Sequence, residues 1–234
     1  MKRRGALRAA GMAALLVGGL FLAGCHWNVP EPSSPVEDGP IDLSLLSVNP
    51  DLRTAIEDVM TRTEAETVSS ITMLDLNPVR RAMADGYSSY LEIADYRINS
   101  LLGIEQFYWL KEIDVTGNRN LSRLDLLASL PNIERIVASD ISKTSVVNIS
   151  GLGSLPMLDT LILHDSGVTD VSGLAASHRL RVLNLSRTPV SIGVNSLVEV
   201  ESLRYLDLRN TPLLPGEQVS YLRIHRPEVE VLWP

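Results

Sequence analysis

A chain of 234 residues, 45% hydrophobic, with one cysteine and a formal charge of −7, has the length for one or two domains and enough apolar side chains for a sizeable core. The single cysteine rules out a disulfide framework within the chain. The acidic balance argues against nucleic acid as a partner.

Residues 1–24 read as an address label. Lys2, Arg3, Arg4 and Arg8 form a basic n-region, and the 15 residues Ala9 to Ala23 form an apolar, Gly/Ala-rich one. As a helix that run spans roughly 22 Å at ~1.5 Å per residue, short of the ~30 Å hydrocarbon core, which favours a signal peptide over a permanent span. The segment ends Leu22-Ala23-Gly24-Cys25, which closely resembles the bacterial lipoprotein box. That resemblance implies a diacylglyceryl group on the Cys25 thiol, cleavage before it, and acylation of the new amine. Removing the four leader bases from 21 leaves 17 Lys+Arg against 28 Asp+Glu, a formal −11. Membrane attachment is then expected from the acyl chains, since two or more anchor stably where one is marginal. Residues 25–40 carry four prolines and few apolar side chains, the composition of a tether. His26 stands where inner-membrane lipoproteins of Gram-negative bacteria usually have Asp, so the resemblance points to the outer membrane. Whether the domain faces the periplasm or the outside stays open.

Residues 41–87 are expected to form an N-terminal cap. Asn49-Pro50-Asp51 is a helix start, with Asn as N-cap, Pro at the first helical position and an acid in the first turn. Leu52, Ala55, Ile56, Val59 and Met60 follow as one apolar stripe, predicting a helix over about 50–62. Ile71 to Leu76 alternates like a strand, and Pro78 to Gly86 reads as a short helix closed by glycine.

From residue 88 one phrase recurs: apolar, two free positions, apolar, one free, apolar. Leu158/Leu161/Leu163, Leu180/Leu183/Leu185 and Leu203/Leu206/Leu208 are its best copies. Weaker ones are Ser88/Leu91/Ile93, Leu110/Ile113/Val115, Ile133/Ile136/Ala138 and Arg226/Val229/Val231. Steps of 22, 23, 25, 22, 23 and 23 residues separate the starts, which is the leucine-rich-repeat period. About seven strands are predicted over 88–234, their apolar positions turned inward. A second apolar set marks the return path, as in Ile98/Leu101/Ile104, Val147/Ile149/Leu152 and Val168/Val171/Leu174.

This form is similar to the internalin subclass of bacterial leucine-rich repeats. The resemblance implies an α/β-type repeat fold, a right-handed solenoid with a parallel concave β-sheet and an N-terminal helical cap. The family pattern places Asn after each strand; here Asn118 matches, while Ile141, Ser166, Thr188 and Thr211 depart from it. The 25-residue step around Asp140–Ser150 predicts a bulging loop. Gly216 to Arg223 reads as a short helix, and the strand after it as a half-repeat covering the open end.

Catalytic motifs are missing. Gly151-Leu-Gly153 lacks the third glycine of a dinucleotide loop, no Gly-x-Ser-x-Gly elbow occurs, and the four histidines form no metal-ligand pair. No enzyme activity, cofactor or metal is expected. The sequence offers instead the outward strand positions as a partner surface. The middle row is Glu92, Asp114, Val137, Ile162, Asn184, Asp207 and Glu230. The row before it is Tyr90, Glu112, Arg135, Thr160, Val182, Tyr205 and Glu228, and His164 and Arg209 lie beyond it. With acidic ends and an apolar centre, this ribbon is built like a partner-binding patch, with Tyr90 and Tyr205 as aromatic anchors. The expected protein is a monomeric, lipid-anchored binding module for a protein or peptide, serving adhesion or host recognition. A periplasmic scaffold is the alternative, and a carbohydrate-binding or hydrolytic protein a more remote one.

Overall fold

The computed structural model describes residues 50–62 and 90–233. The leader, the tether, the strand expected at 71–76 and the helix expected near 78–86 lie outside the described residues. Helix α1 runs Pro50–Arg62, with Asp51 in its first turn. Leu52, Ala55 and Ile56 of the expected stripe are fully buried and belong to the same core as the repeats; the side chains of Val59 and Met60 lie outside the described residues. Tyr96 Oη donates to Asp58 Oδ2, tying α1 to the loop after the first strand.

Seven three-residue strands follow: β1 (Tyr90–Glu92), β2 (Glu112–Asp114), β3 (Arg135–Val137), β4 (Thr160–Ile162), β5 (Val182–Asn184), β6 (Tyr205–Asp207) and β7 (Glu230–Leu232). They form one parallel sheet in sequential order. The repeat period explains the register: each central apolar residue stacks on the next, Leu91 on Ile113, Ile136, Leu161, Leu183 and Leu206 in turn, and each is buried. The first five return paths pass through 3₁₀ turns, at Ile104–Phe107, Asp125–Ser129, Leu152–Ser154, Ser172–Ala176 and Asn195–Glu199. Leu127, Leu152, Leu174 and Leu197 point from those turns into the core. No repeat closes a core alone, so the array is stable only as a stack. No helix of the described residues is long and apolar enough to cross a membrane.

Each of the first six repeats turns out of its strand through one residue in the left-handed region. These are Asp95, Gly117, Asp140, Asp165, Arg187 and Asn210, with φ between 52° and 76°. Asp and Asn tolerate that conformation and glycine adopts it freely, whereas Arg187 pays for its Cβ. Gly117 is further constrained, because a Cβ there would lie 1.9 Å from Asp95 Oδ1. The turn extends the ladder: the Gly117 N–H donates to Ser139 O at 2.9 Å and the Asp165 N–H to Ser186 O at 2.9 Å.

Three of the four missing asparagines have a physical replacement, and at the fourth the buried Ile141 offers only apolar packing. Buried Asn118 donates from Nδ2 to Val115 O and Ile93 O, both at 2.8 Å, and accepts from the Ile98 N–H at 2.9 Å. Ser166, Thr188 and Thr211 donate their hydroxyls to Leu163 O, Leu185 O and Leu208 O, at 2.7, 2.6 and 2.7 Å. That carbonyl, three residues back, is the counterpart of Val115 O. A hydroxyl therefore satisfies the carbonyl of its own turn but forgoes Asn118's bonds to the preceding repeat.

Two repeats are longer, for different reasons. The bulge predicted near Asp140–Ser150 is present, with residues 143–146 all exposed. The second corrects the expected last strand. Val231, not Val229, stacks beside Leu206, and Glu230 pairs with Tyr205, so the step into β7 is 25 residues and not 23. The cause is helix α2 (Gly216–His225), whose ten residues replace a 3₁₀ turn. Arg226, expected as the opening apolar position, is instead a buried plug. Its Nη1 donates to Val198 O and Val200 O at 2.9 and 2.7 Å, and its Nη2 to Glu201 O at 3.0 Å. Trp109 and Trp233 pack at the edges of the core, Trp233 lying against Gly216.

Candidate binding surface

Burial alternates along β1, β2, β3 and β5, and the outward positions fall into straight rows; Thr160, expected on the open surface, is buried at its outward position on β4. The first row is Tyr90, Glu112, Arg135, Thr160, Val182, Tyr205 and Glu230; the second is Glu92, Asp114, Val137, Ile162, Asn184, Asp207 and Leu232. A third, just past the strands, includes His164, Ser186 and Arg209. The shift in β7 changes the end predicted to be acidic: Leu232 sits beside Asp207, Glu230 moves to the first row, and Glu228 leaves the sheet to pair with Arg226.

The β1–β2 end keeps its acidic character. Tyr90 is 38% exposed; its Oη lies 3.4 Å from Glu92 Oε2. Partial burial, with Glu92, Asp114 and Glu112 nearby, pushes its phenol up to about 12. Arg135 Nε pairs with Glu112 Oε1 at 2.9 Å, both half-exposed. The centre holds Val137, Ile162 and Val182, all partly open to solvent.

The β5–β6 end is a polar network. Asn184 Oδ1 accepts from the Ser186 N–H at 2.9 Å and from Ser186 Oγ at 2.6 Å. Because that hydroxyl proton is spent, the 2.8 Å contact between Ser186 Oγ and His164 Nδ1 needs its proton on Nδ1. His164 is thus the donor to Ser186 and no base for it, and Ser186 is only 5% exposed. The trio does not activate a nucleophile.

Asp207, expected as an exposed contact, is 1% exposed. Arg209 folds over it, donating from Nε and Nη2 at 3.0 and 2.6 Å, while the Arg209 N–H donates at 3.0 Å. These bonds hold the Asp207 carboxyl below its ordinary range despite burial. Asp114 uses the same local turn, accepting from the Thr116 N–H at 2.8 Å. Asp114, Asn184 and Asp207 therefore close their strand ends, a task that no sequence period reveals. Among the described residues no group of acidic side chains gathers into a metal-ligand set.

Two charged features were not legible in the sequence. An ion-pair chain follows the left-handed turns. Arg119 pairs with Asp140 at 2.9 Å, and Lys143 bridges Asp140 and Asp165 at 2.8 and 2.9 Å, using the bulged loop to join two repeats. A groove of about 480 Å³ lies at the other ends of the strands, between Lys111–Glu134 and Asp159–Arg181. Its charges pair across adjacent repeats, so opposite charges spaced by one repeat, 22 or 23 residues, are the signal that would have found them.

No family model and no curated protein matches this chain. Solved structures do. An internalin (inlF) from Listeria monocytogenes is 17% identical at a TM-score of 0.49, over 85% of this chain and 59% of that one. The chain thus spans under two thirds of that internalin's length. A chain of the Drosophila melanogaster SNF/U2A′ complex is 20% identical at 0.44, over 58% and 81% of the two chains. The functional domain of InlJ from Listeria monocytogenes is 14% identical at 0.29, over 62% and 53%. These likenesses are of fold. The stacked register of seven parallel strands, with its 22–25-residue steps, makes this chain a leucine-rich-repeat solenoid.

Proposed function

We propose that this protein is a non-enzymatic, lipid-anchored binding module that takes a protein or peptide on the outward face of its sheet. The observation that carries this reading is the apolar strip of Val137, Ile162 and Val182. Three adjacent strands place these partly exposed side chains at the middle of a charged rim. An apolar centre within a polar rim is the anatomy of an interface. Seven strands ~4.8 Å apart make a ribbon roughly 29 Å long. At ~15–20 Å wide it offers on the order of 500 Å², under the ~800 Å² per partner of a standard interface. A peptide segment, or a protein that also engages the loop at residues 143–146, fits that area.

Anchoring through Cys25 in the outer membrane completes the reading, with the lipoprotein-box resemblance as its support. Attachment fixes the domain to the envelope, the proline-rich tether gives it reach, and the sheet face recognises the partner, for adhesion or host recognition if displayed outside. A periplasmic scaffold is the second reading; the −11 charge of the chain without its leader and the unremarkable tether suit both. Metabolic labelling with an alkyne fatty acid tests the anchor: label on the wild type and none on Cys25→Ser supports it. Protease treatment of intact cells tests orientation, since only a surface-displayed domain is cut.

A further inference from the structure

The two halves of the outward face differ in charge. At the β1–β2 end Tyr90, Glu92, Glu112 and Asp114 crowd together, and among the described residues the one ion pair there is Glu112 with Arg135. Glu92 and Asp114, which accept hydrogen bonds from the Tyr90 hydroxyl and the Thr116 N–H, have no cation beside them among the described residues. At the other end Arg209 covers Asp207. The apolar strip begins one strand beyond the acidic pair, at Val137. A ligand lying across the strands thus meets carboxylates beside an exposed tyrosine ring, then branched aliphatic side chains.

Resting on the binding reading above, we propose that the sheet face takes an extended peptide segment bearing a basic residue over Tyr90, Glu92 and Asp114 and apolar residues over Ile162 and Val182. The spacing follows from the strand separation. β4 and β5 lie roughly 14 and 19 Å from β1 at ~4.8 Å per strand, while an extended peptide advances ~3.3 Å per residue with alternate side chains on one face. The basic residue then stands at i and the apolar ones at i+4 and i+6. A guanidinium or ammonium group gains from both carboxylates and from the face of the Tyr90 ring. An acidic residue there meets repulsion, so the patch also selects against wrong partners.

The test is selection of a displayed random dodecapeptide library on the full chain in detergent micelles, with Ile162→Asp as counter-target. Enrichment of sequences with Lys or Arg four and six positions before apolar residues, lost on Ile162→Asp, is the expected result. An enriched peptide should bind Glu92→Gln/Asp114→Asn about fivefold more weakly, and that difference should shrink in high salt. Asp114→Asn preserves the turn, because Asn184 makes the same bond at the equivalent position. Enrichment that vanishes on Ile162→Asp but shows no basic preference overturns this proposal while leaving the sheet face as the binding site. No enrichment, or enrichment retained by Ile162→Asp, overturns both.

Discussion

Asp207 and Arg209 point the same way from β6, two residues apart, yet one is buried and the other open: Arg209 lies over the carboxylate with its Nη2 2.6 Å from Oδ2. An outward strand position thus becomes an inside one without any change of register. Because these bonds hold the Asp207 carboxyl below its unfolded value, its contribution is present above the unfolded pKa and is lost as pH falls through the folded one. Asp207→Asn should flatten the acid limb of the stability curve below about pH 4 and lower stability near neutrality. Urea unfolding at pH 3 and pH 7 measures both; equal losses at the two pH values would refute the linkage.

Neighbouring residues on β4 should respond oppositely to one substitution. Leu161 is fully buried and Ile162 partly open. Leu161→Asp or Leu183→Asp puts an unpaired charge in the core and should cost more than about 4 kcal/mol, enough to unfold the array. Ile162→Asp should cost about 1 kcal/mol or less. Thermal melts of the three variants decide it, and similar melts would reverse the inside/outside assignment.

Arg187 is the one long side chain in the left-handed turn row, at φ 61°. Its pair with Asp165 is 3.8 Å long and half-exposed, a contact of little worth. Arg187→Asn should therefore stabilise by about 0.5–1 kcal/mol, a rise in Tm of roughly 1–4 °C for a domain of this size.

Asn118 and Ser166 occupy equivalent turns with unequal numbers of bonds. Asn118→Ala should cost about 3 kcal/mol and Ser166→Ala about 1 kcal/mol, following the three bonds lost against one. Chemical denaturation of the two variants gives the comparison directly.

Arg226 fills the end of the solenoid, bonding three backbone carbonyls from the preceding repeat. Arg226→Met keeps much of the bulk and drops the donors, so about 2–3 kcal/mol should be lost. Hydrogen exchange should show the loss concentrated in residues 195–232, with protection around β3 and β4 unchanged.

The period by itself determined the architecture, because each repeat must stack its apolar positions on those of the next. Seven strands, the inward-facing residues, the bulge after Asp140 and the return-path core at Val168, Val171 and Leu174 all follow from that pattern, while the helix over 50–62 follows from its own start signal and apolar stripe. Periodicity records only which face a residue takes, however. It cannot record what a neighbour two residues or one repeat away does to it. The tertiary structure alone decided that Arg209 buries Asp207 and that Ser and Thr replace Asn at the turns. It also decided that Lys143 joins Asp140 to Asp165. The last strand shows the same limit. Val229 and Val231 share a face and satisfy the pattern equally well. Only the longer return through α2, closed by Arg226, selects Val231 as the neighbour of Leu206.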